Sequence, residues 1–79
     1  MLKIKDDVDL KELEKYGIEK ETKELYSDSK NDTGLFFYKN DKYHFKSKNI
    51  YMNSHDFDED CLDLLYDLIK DGLVEKVED

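Results

Sequence analysis

One pattern of titratable side chains in this chain points to chemistry. It is the row Glu59, Asp60, Asp63, Asp67, Asp71, Glu75, Glu78 and Asp79 near the C-terminal end. Such a row presents a negative field. From Asp58 to Asp71 six acids fall along about 20 Å of helix, at ~1.5 Å rise per residue, or one charge per roughly 3.5 Å. Phosphates along one DNA strand are ~3.4 Å apart. An anionic surface of that pitch repels nucleic acid and attracts basic proteins, nucleases and other nucleic-acid-binding proteins among them. The bland alternative is a solvated face that serves only solubility.

The charge balance is equally lopsided. His55 to Asp79 carries ten acids against Lys70 and Lys76, which accounts for the whole net charge of −8, while residues 1–54 hold eleven lysines and eleven acids. Asp63/Asp67 and Asp67/Asp71 are like-charge pairs four apart, each unfavourable by about 0.2 to 0.5 kcal/mol on a helix. Asp67 and Asp71 also face the negative end of the helix dipole. Local rules broken without visible compensation point to function.

Other chemistries find less support. His55, Asp56, Asp58, Glu59 and Cys61 mix ligand types but lack a second Cys or His cluster at zinc spacing, so no metal is expected. The segment Asp28 to Gly34 resembles a calcium loop in outline, yet Lys30 and Lys39 stand where carboxylates are needed. No Gly-rich phosphate loop or nucleophile motif is present, so neither an enzyme nor a cofactor is expected. Cys61 reads as a small core residue. A rival binding surface is the stretch Leu35 to Met52, where Lys39, Lys42, Lys46 and Lys48 interleave with Phe36, Phe37, Tyr38, Tyr43, Phe45 and Tyr51. Aromatics on a sheet with lysines around them can stack and neutralise single-stranded nucleic acid. The overall charge makes nucleic acid an unlikely partner.

These side chains need elements to hold them. Val8 to Ile18 reads as a short helix with Asp9 as N-cap, Glu12 completing a capping box, Val8 stapled to Leu13 and Gly17 at the C′ position. Leu35 to Lys39 and Lys42 to Lys46 read as a hairpin turning at Asn40 and Asp41. That register puts Phe36, Tyr38, Tyr43 and Phe45 on one face, with Ile50 and Met52 added through a second turn at Ser47 and Lys48. Glu24 to Ser27 suggests a further strand. Asp58 to Asp71 is the strongest helix, with Asp58 as N-cap and Phe57 stapled to Leu62. Phe57, Cys61, Leu62, Leu64, Leu65, Leu68 and Ile69 lie in one arc, predicted to cover the aromatic face. Gly72 ends it, Leu73 returns to Leu68, and Leu73 to Val77 forms a strand whose plausible partner is Leu2 to Lys5.

Seventy-nine residues, 38% apolar and 43% charged, make one small domain with a modest core that dimerisation would reinforce. The class expected is α+β: an antiparallel β-meander packed against one longer amphipathic acidic helix, plus a short N-terminal helix. The start of the chain lacks a basic segment followed by an apolar one, and the apolar runs Leu35 to Tyr38 and Leu64 to Tyr66 are too short to span a membrane. A cytoplasmic protein without membrane contact is expected.

The opening KIKDDVDLKELEKYGI (Lys3 to Ile18) and the closing LDLLYDLIKDGLVEKV (Leu62 to Val77) resemble small, mostly uncharacterised phage and prophage proteins of low-GC Gram-positive bacteria. The resemblance implies a mobile genetic element as the source and carries no activity or functional residue with it. With the charge pattern, the expectation is a non-enzymatic inhibitor of the anti-CRISPR or anti-restriction kind, acting in the host cytoplasm on a basic protein. The alternatives are a structural or self-associating phage protein and a single-strand binder.

Overall fold

A computed structural model describes residues 1–30, 33–52 and 59–78. Within them the chain runs β1 (Leu2–Ile4), a 3-10 helix (Leu10–Tyr16), β2 (Ile18–Lys20), β3 (Leu25–Asp28), β4 (Leu35–Tyr38), β5 (Tyr51–Met52), α1 (Glu59–Lys70) and β6 (Val74–Lys76). The class is α+β, with two antiparallel sheets and two helices. Strands β2, β3, β4 and β5 pair in sequence order as a four-stranded antiparallel meander, and β1 pairs antiparallel with β6. The Ile4 N–H donates to the Lys48 carbonyl at 2.9 Å and the Ile50 N–H to the Leu2 carbonyl at 2.8 Å, which tie the ribbon to the meander.

The first helix winds tighter than its sequence suggested. Asp9 is the N-cap, but its carboxylate accepts from the Lys11 N–H at 3.0 Å, because the Glu12 N–H is already bonded to the Asp9 carbonyl at 2.9 Å. Three-residue bonding of this kind leaves no place for the expected capping box. Gly17, at φ +88°, turns the chain directly into β2, a strand the sequence reading did not contain.

The expected hairpin at Asn40 and Asp41 does not form. Past Tyr38 the chain makes a loop closed by the Lys48 N–H on the Tyr38 carbonyl at 2.7 Å, and the tight turn inside it spans Lys42 to Phe45, with Tyr43 at φ +54°. The Asp41 carboxylate receives the Ser47 N–H, and the Ser47 hydroxyl donates to the Lys39 carbonyl at 2.7 Å. These bonds satisfy the backbone that a second strand at Lys42 to Lys46 would have paired. The strand that does flank β4 is β5.

This changes which side chains lie beneath α1. Along β4 Leu35 and Phe37 are fully buried while Phe36 and Tyr38 are half-buried. Leu35 and Phe37 share one core with Ile4, Leu13, Ile18, Ile50, Val74 and the helix residues Cys61, Leu64, Leu65 and Leu68. The predicted platform of Phe36, Tyr38, Tyr43 and Phe45 therefore belongs to the other side of the sheet. Tyr43 has left it altogether, at 88% exposed. Ile50 points into the core and Met52 pairs opposite Leu35, so neither joins the aromatic face; Tyr51, opposite Phe36, takes that place.

The end of α1 agrees with its sequence signals. Gly72 stands at φ +78°, its N–H bonds the Ile69 carbonyl at 3.1 Å, and the Leu73 N–H bonds the Leu68 carbonyl at 3.0 Å, the paired bonds of a Schellman cap. The expected caps at Phe57 and Asp58 lie outside the described residues. No described helix is long and apolar enough to cross a membrane.

Candidate functional site

Helix α1 buries Cys61, Leu64, Leu65 and Leu68, and this choice fixes where every other side chain points. At about 100° per residue, Asp60, Asp63, Asp67 and Asp71 fall on one flank of the buried stripe, while Leu62, Tyr66 and Ile69 fall on the other. The apolar arc is thus narrower than the sequence suggested: Leu62 is 48% and Ile69 49% exposed. Four buried residues are enough to seat a helix of this length, and the outer members of the wide apolar arc are left in water.

On the acidic flank, Asp60, Asp63 and Asp67 border a shallow concavity of about 420 Å³ with Lys15, Tyr16 and Leu64. All three acids are exposed. Among the described residues, no ammonium lies within ion-pair distance of Asp63 or Asp67. The remaining members of the row are used differently. Asp71 accepts a hydrogen bond from the Tyr16 phenol, so the carboxylate at the unfavourable end of the helix dipole does have a partner. Glu75, on β6, lies 3.6 Å from the Lys3 ammonium. Glu59 and Glu78 are exposed, and Asp79 lies outside the described residues.

Two electrostatic effects mark the surroundings. The hydrogen bond to Asp71, with burial and the charges of Asp71, Asp67 and Glu12 adding to it, pushes the Tyr16 phenol up to about 12. Its hydrogen bond to Lys3 holds the Asp6 carboxyl below its ordinary value, and Lys48, 3.7 Å away, acts in the same direction. The first lies at the end of the 3-10 helix beside the acidic flank, and the second just past β1.

The lysine and aromatic surface has its own geometry. Phe45 stacks on Tyr38 at 5.2 Å between ring centres and meets Phe36 and Tyr51 edge-on at 5.4 and 4.9 Å. Phe36 and Tyr51 stack at 5.7 Å. Each of the four rings thus gives one face to a neighbour in the cluster, which reduces the face area open to base stacking. Phe37 lies on the core side, stacked on Tyr26 at 5.1 Å. A concavity of about 440 Å³ beside the cluster is lined by Glu21 and Ser27 as well as Phe36, Tyr38 and Phe45, and the Ser27 hydroxyl donates to the Glu21 carboxylate.

Of the residues weighed as metal ligands, His55, Asp56 and Asp58 lie outside the described residues. Cys61 is buried among the core side chains, with Met52 Sδ 3.1 Å from its Sγ. Among the described residues no three His, Cys, Asp or Glu side chains converge. Set against family models, curated proteins and solved structures, the chain matches none.

Proposed function

We propose that this protein is a non-enzymatic binding module, an inhibitor of the phage or mobile-element type, that presents the acidic flank of α1 to a basic, nucleic-acid-handling protein of the host. The observation that carries this reading is the exposure of Asp60, Asp63 and Asp67 side by side, with Asp63 and Asp67 lacking ammonium partners among the described residues. Lysines are abundant in the chain, yet among the described residues the ion pairs are those of Lys3 and Lys48 with Asp6 and of Lys3 with Glu75. The Asp63 and Asp67 carboxylates, exposed on a regular element, are available to guanidinium and ammonium groups of a partner.

On this reading α1 is the acidic, amphipathic recognition element, and the meander and ribbon are the scaffold that keeps it straight. Asp71 and Glu75, tied to Tyr16 and Lys3, contribute field more than direct contact. Affinity comes partly from charge steering and falls as salt screens it.

The test is affinity capture from bacterial lysate with the wild type and with Asp63→Lys plus Asp67→Lys, washed at low and high salt. A basic nucleic-acid-handling protein should be held by the wild type at low salt, released by duplex DNA, and lost in the double variant. Equal capture by both forms would contradict the reading.

A further inference from the structure

Among the described residues, the apolar flank of α1 stands outside the core. Leu62, Tyr66 and Ile69 are 48%, 64% and 49% exposed, and they recur at i, i+4 and i+7 in a single stripe about 10 Å long at ~1.5 Å per residue. The core already takes Cys61, Leu64, Leu65 and Leu68 from the adjoining stripe of the same helix. Scattered exposed apolar residues are ordinary, but three large ones in a row on one helix face mark an interaction surface. The spacing is that of anchors that enter a groove when an amphipathic helix is bound along its length.

Charge decides what kind of surface can cover the stripe. On its solvent side the stripe is bordered by Glu59 and Asp63, with Lys70 between them and Asp67 one step further round the helix, and the chain as a whole carries −8. A second copy docked here would bring two acidic rows together, and an anionic lipid surface would be repelled in the same way. A basic protein surface has the opposite sign.

We infer that α1 docks as an amphipathic helix, with Leu62, Tyr66 and Ile69 seated in an apolar groove of the partner, Glu59 and Asp63 paired to lysines or arginines on the groove's rim, and Asp67 adding to the field beyond it. This rests on the reading that α1 binds a basic protein, and it adds that the binding is anchored by apolar burial as well as by charge. A surface that imitated nucleic acid alone would need only the carboxylates. The mixed face gives an affinity with a component that salt does not screen, and Tyr66, a large amphipathic ring at the centre of the stripe, is its anchor.

Two synthetic peptides of equal positive charge test this on the intact chain. One carries leucines at helical spacing with lysines elsewhere, and the other is oligolysine. Titrated into isotope-labelled protein and followed by amide chemical shifts, the leucine peptide should move Leu62, Tyr66 and Ile69 most. Its binding should survive a rise from about 50 to about 500 mM salt that abolishes oligolysine binding. Leu62→Ser, Tyr66→Ser and Ile69→Ser should each weaken the leucine peptide by about tenfold and leave oligolysine unaffected. Tyr66→Gln is a milder companion, and amide dispersion reports the fold of each variant.

If the two peptides bind alike and the serine variants change nothing, while Asp63→Lys plus Asp67→Lys still weakens both, the stripe is idle; the inference falls and the acidic-face reading stands. If the double lysine variant changes neither peptide, or neither peptide binds, both fall together.

Discussion

The Tyr16 phenol donates a hydrogen bond to Oδ2 of Asp71, joining the end of the 3-10 helix to the end of α1 across 55 positions of sequence. The contact gives a structural use to one member of the acidic row and fixes the side of α1 that faces the first helix. It separates Asp71 from Asp63 and Asp67, which have no such partner among the described residues.

Tyr16→Phe removes that bond and leaves the ring. A largely exposed hydrogen bond to a carboxylate contributes about 1 kcal/mol, so the variant should unfold at slightly lower urea and keep the same capture behaviour. The phenol is raised from its ordinary 10.0 to about 12 in the folded chain, so its contribution is complete below pH 10 and is lost as pH climbs from 10 towards 12. The stability difference between wild type and Tyr16→Phe should therefore shrink over that interval. In the wild type, the ultraviolet phenolate signal should show one tyrosine ionising after the others.

The two faces of β4 predict opposite sensitivities for adjacent phenylalanines. Phe37 is fully buried in the main core, and Phe37→Ala should be destabilising by about 3 to 5 kcal/mol. Phe36 belongs to the outer ring cluster and is only half-buried. Phe36→Ala should cost less than half as much in chemical denaturation. Equal losses would mean that the outer cluster is as tightly packed as the core.

Two left-handed residues should also respond differently. A Cβ at Gly72 meets no atom within 4 Å, so Gly72→Ala carries only the backbone penalty of φ +78°, about 1 to 2 kcal/mol. Tyr43 bears the same kind of strain at φ +54° and is 88% exposed. Tyr43→Gly relieves roughly 1 kcal/mol of it and adds about 0.5 to 1 kcal/mol of chain entropy. Thermal melting should therefore show a clear loss for Gly72→Ala and little change for Tyr43→Gly.

Much of the local order was legible because it is written in single residues with one physical use. Gly72 followed by Leu73 fixes the end of α1, and Leu2 to Ile4 pairs with Val74 to Lys76 as their positions suggested. The faces of β4 were not legible. Leu35, Phe36, Phe37 and Tyr38 are all apolar, so period-two alternation cannot say which pair goes inward, and a shift of one residue exchanges the faces. Asn40 and Asp41 have the chemistry of a tight turn, but the bonds from Ser47 to Asp41 and Lys39 hold a longer loop instead. In the candidate site, the clustering of acids was visible from the start. That Asp71 and Glu75 are engaged by Tyr16 and Lys3 depends on contacts between distant segments, which spacing does not encode.

The central claim is that the open carboxylates of α1 recognise a basic partner, and the dependence of binding on salt tests it most directly. The association constant of the captured partner should be measured across a salt series for the wild type and for Asp63→Lys plus Asp67→Lys. The account expects a steep fall with salt for the wild type, and weaker binding with a shallower dependence for the variant at equal stability. A wild-type affinity insensitive to salt, or a double variant that binds with the same strength and slope, would contradict it.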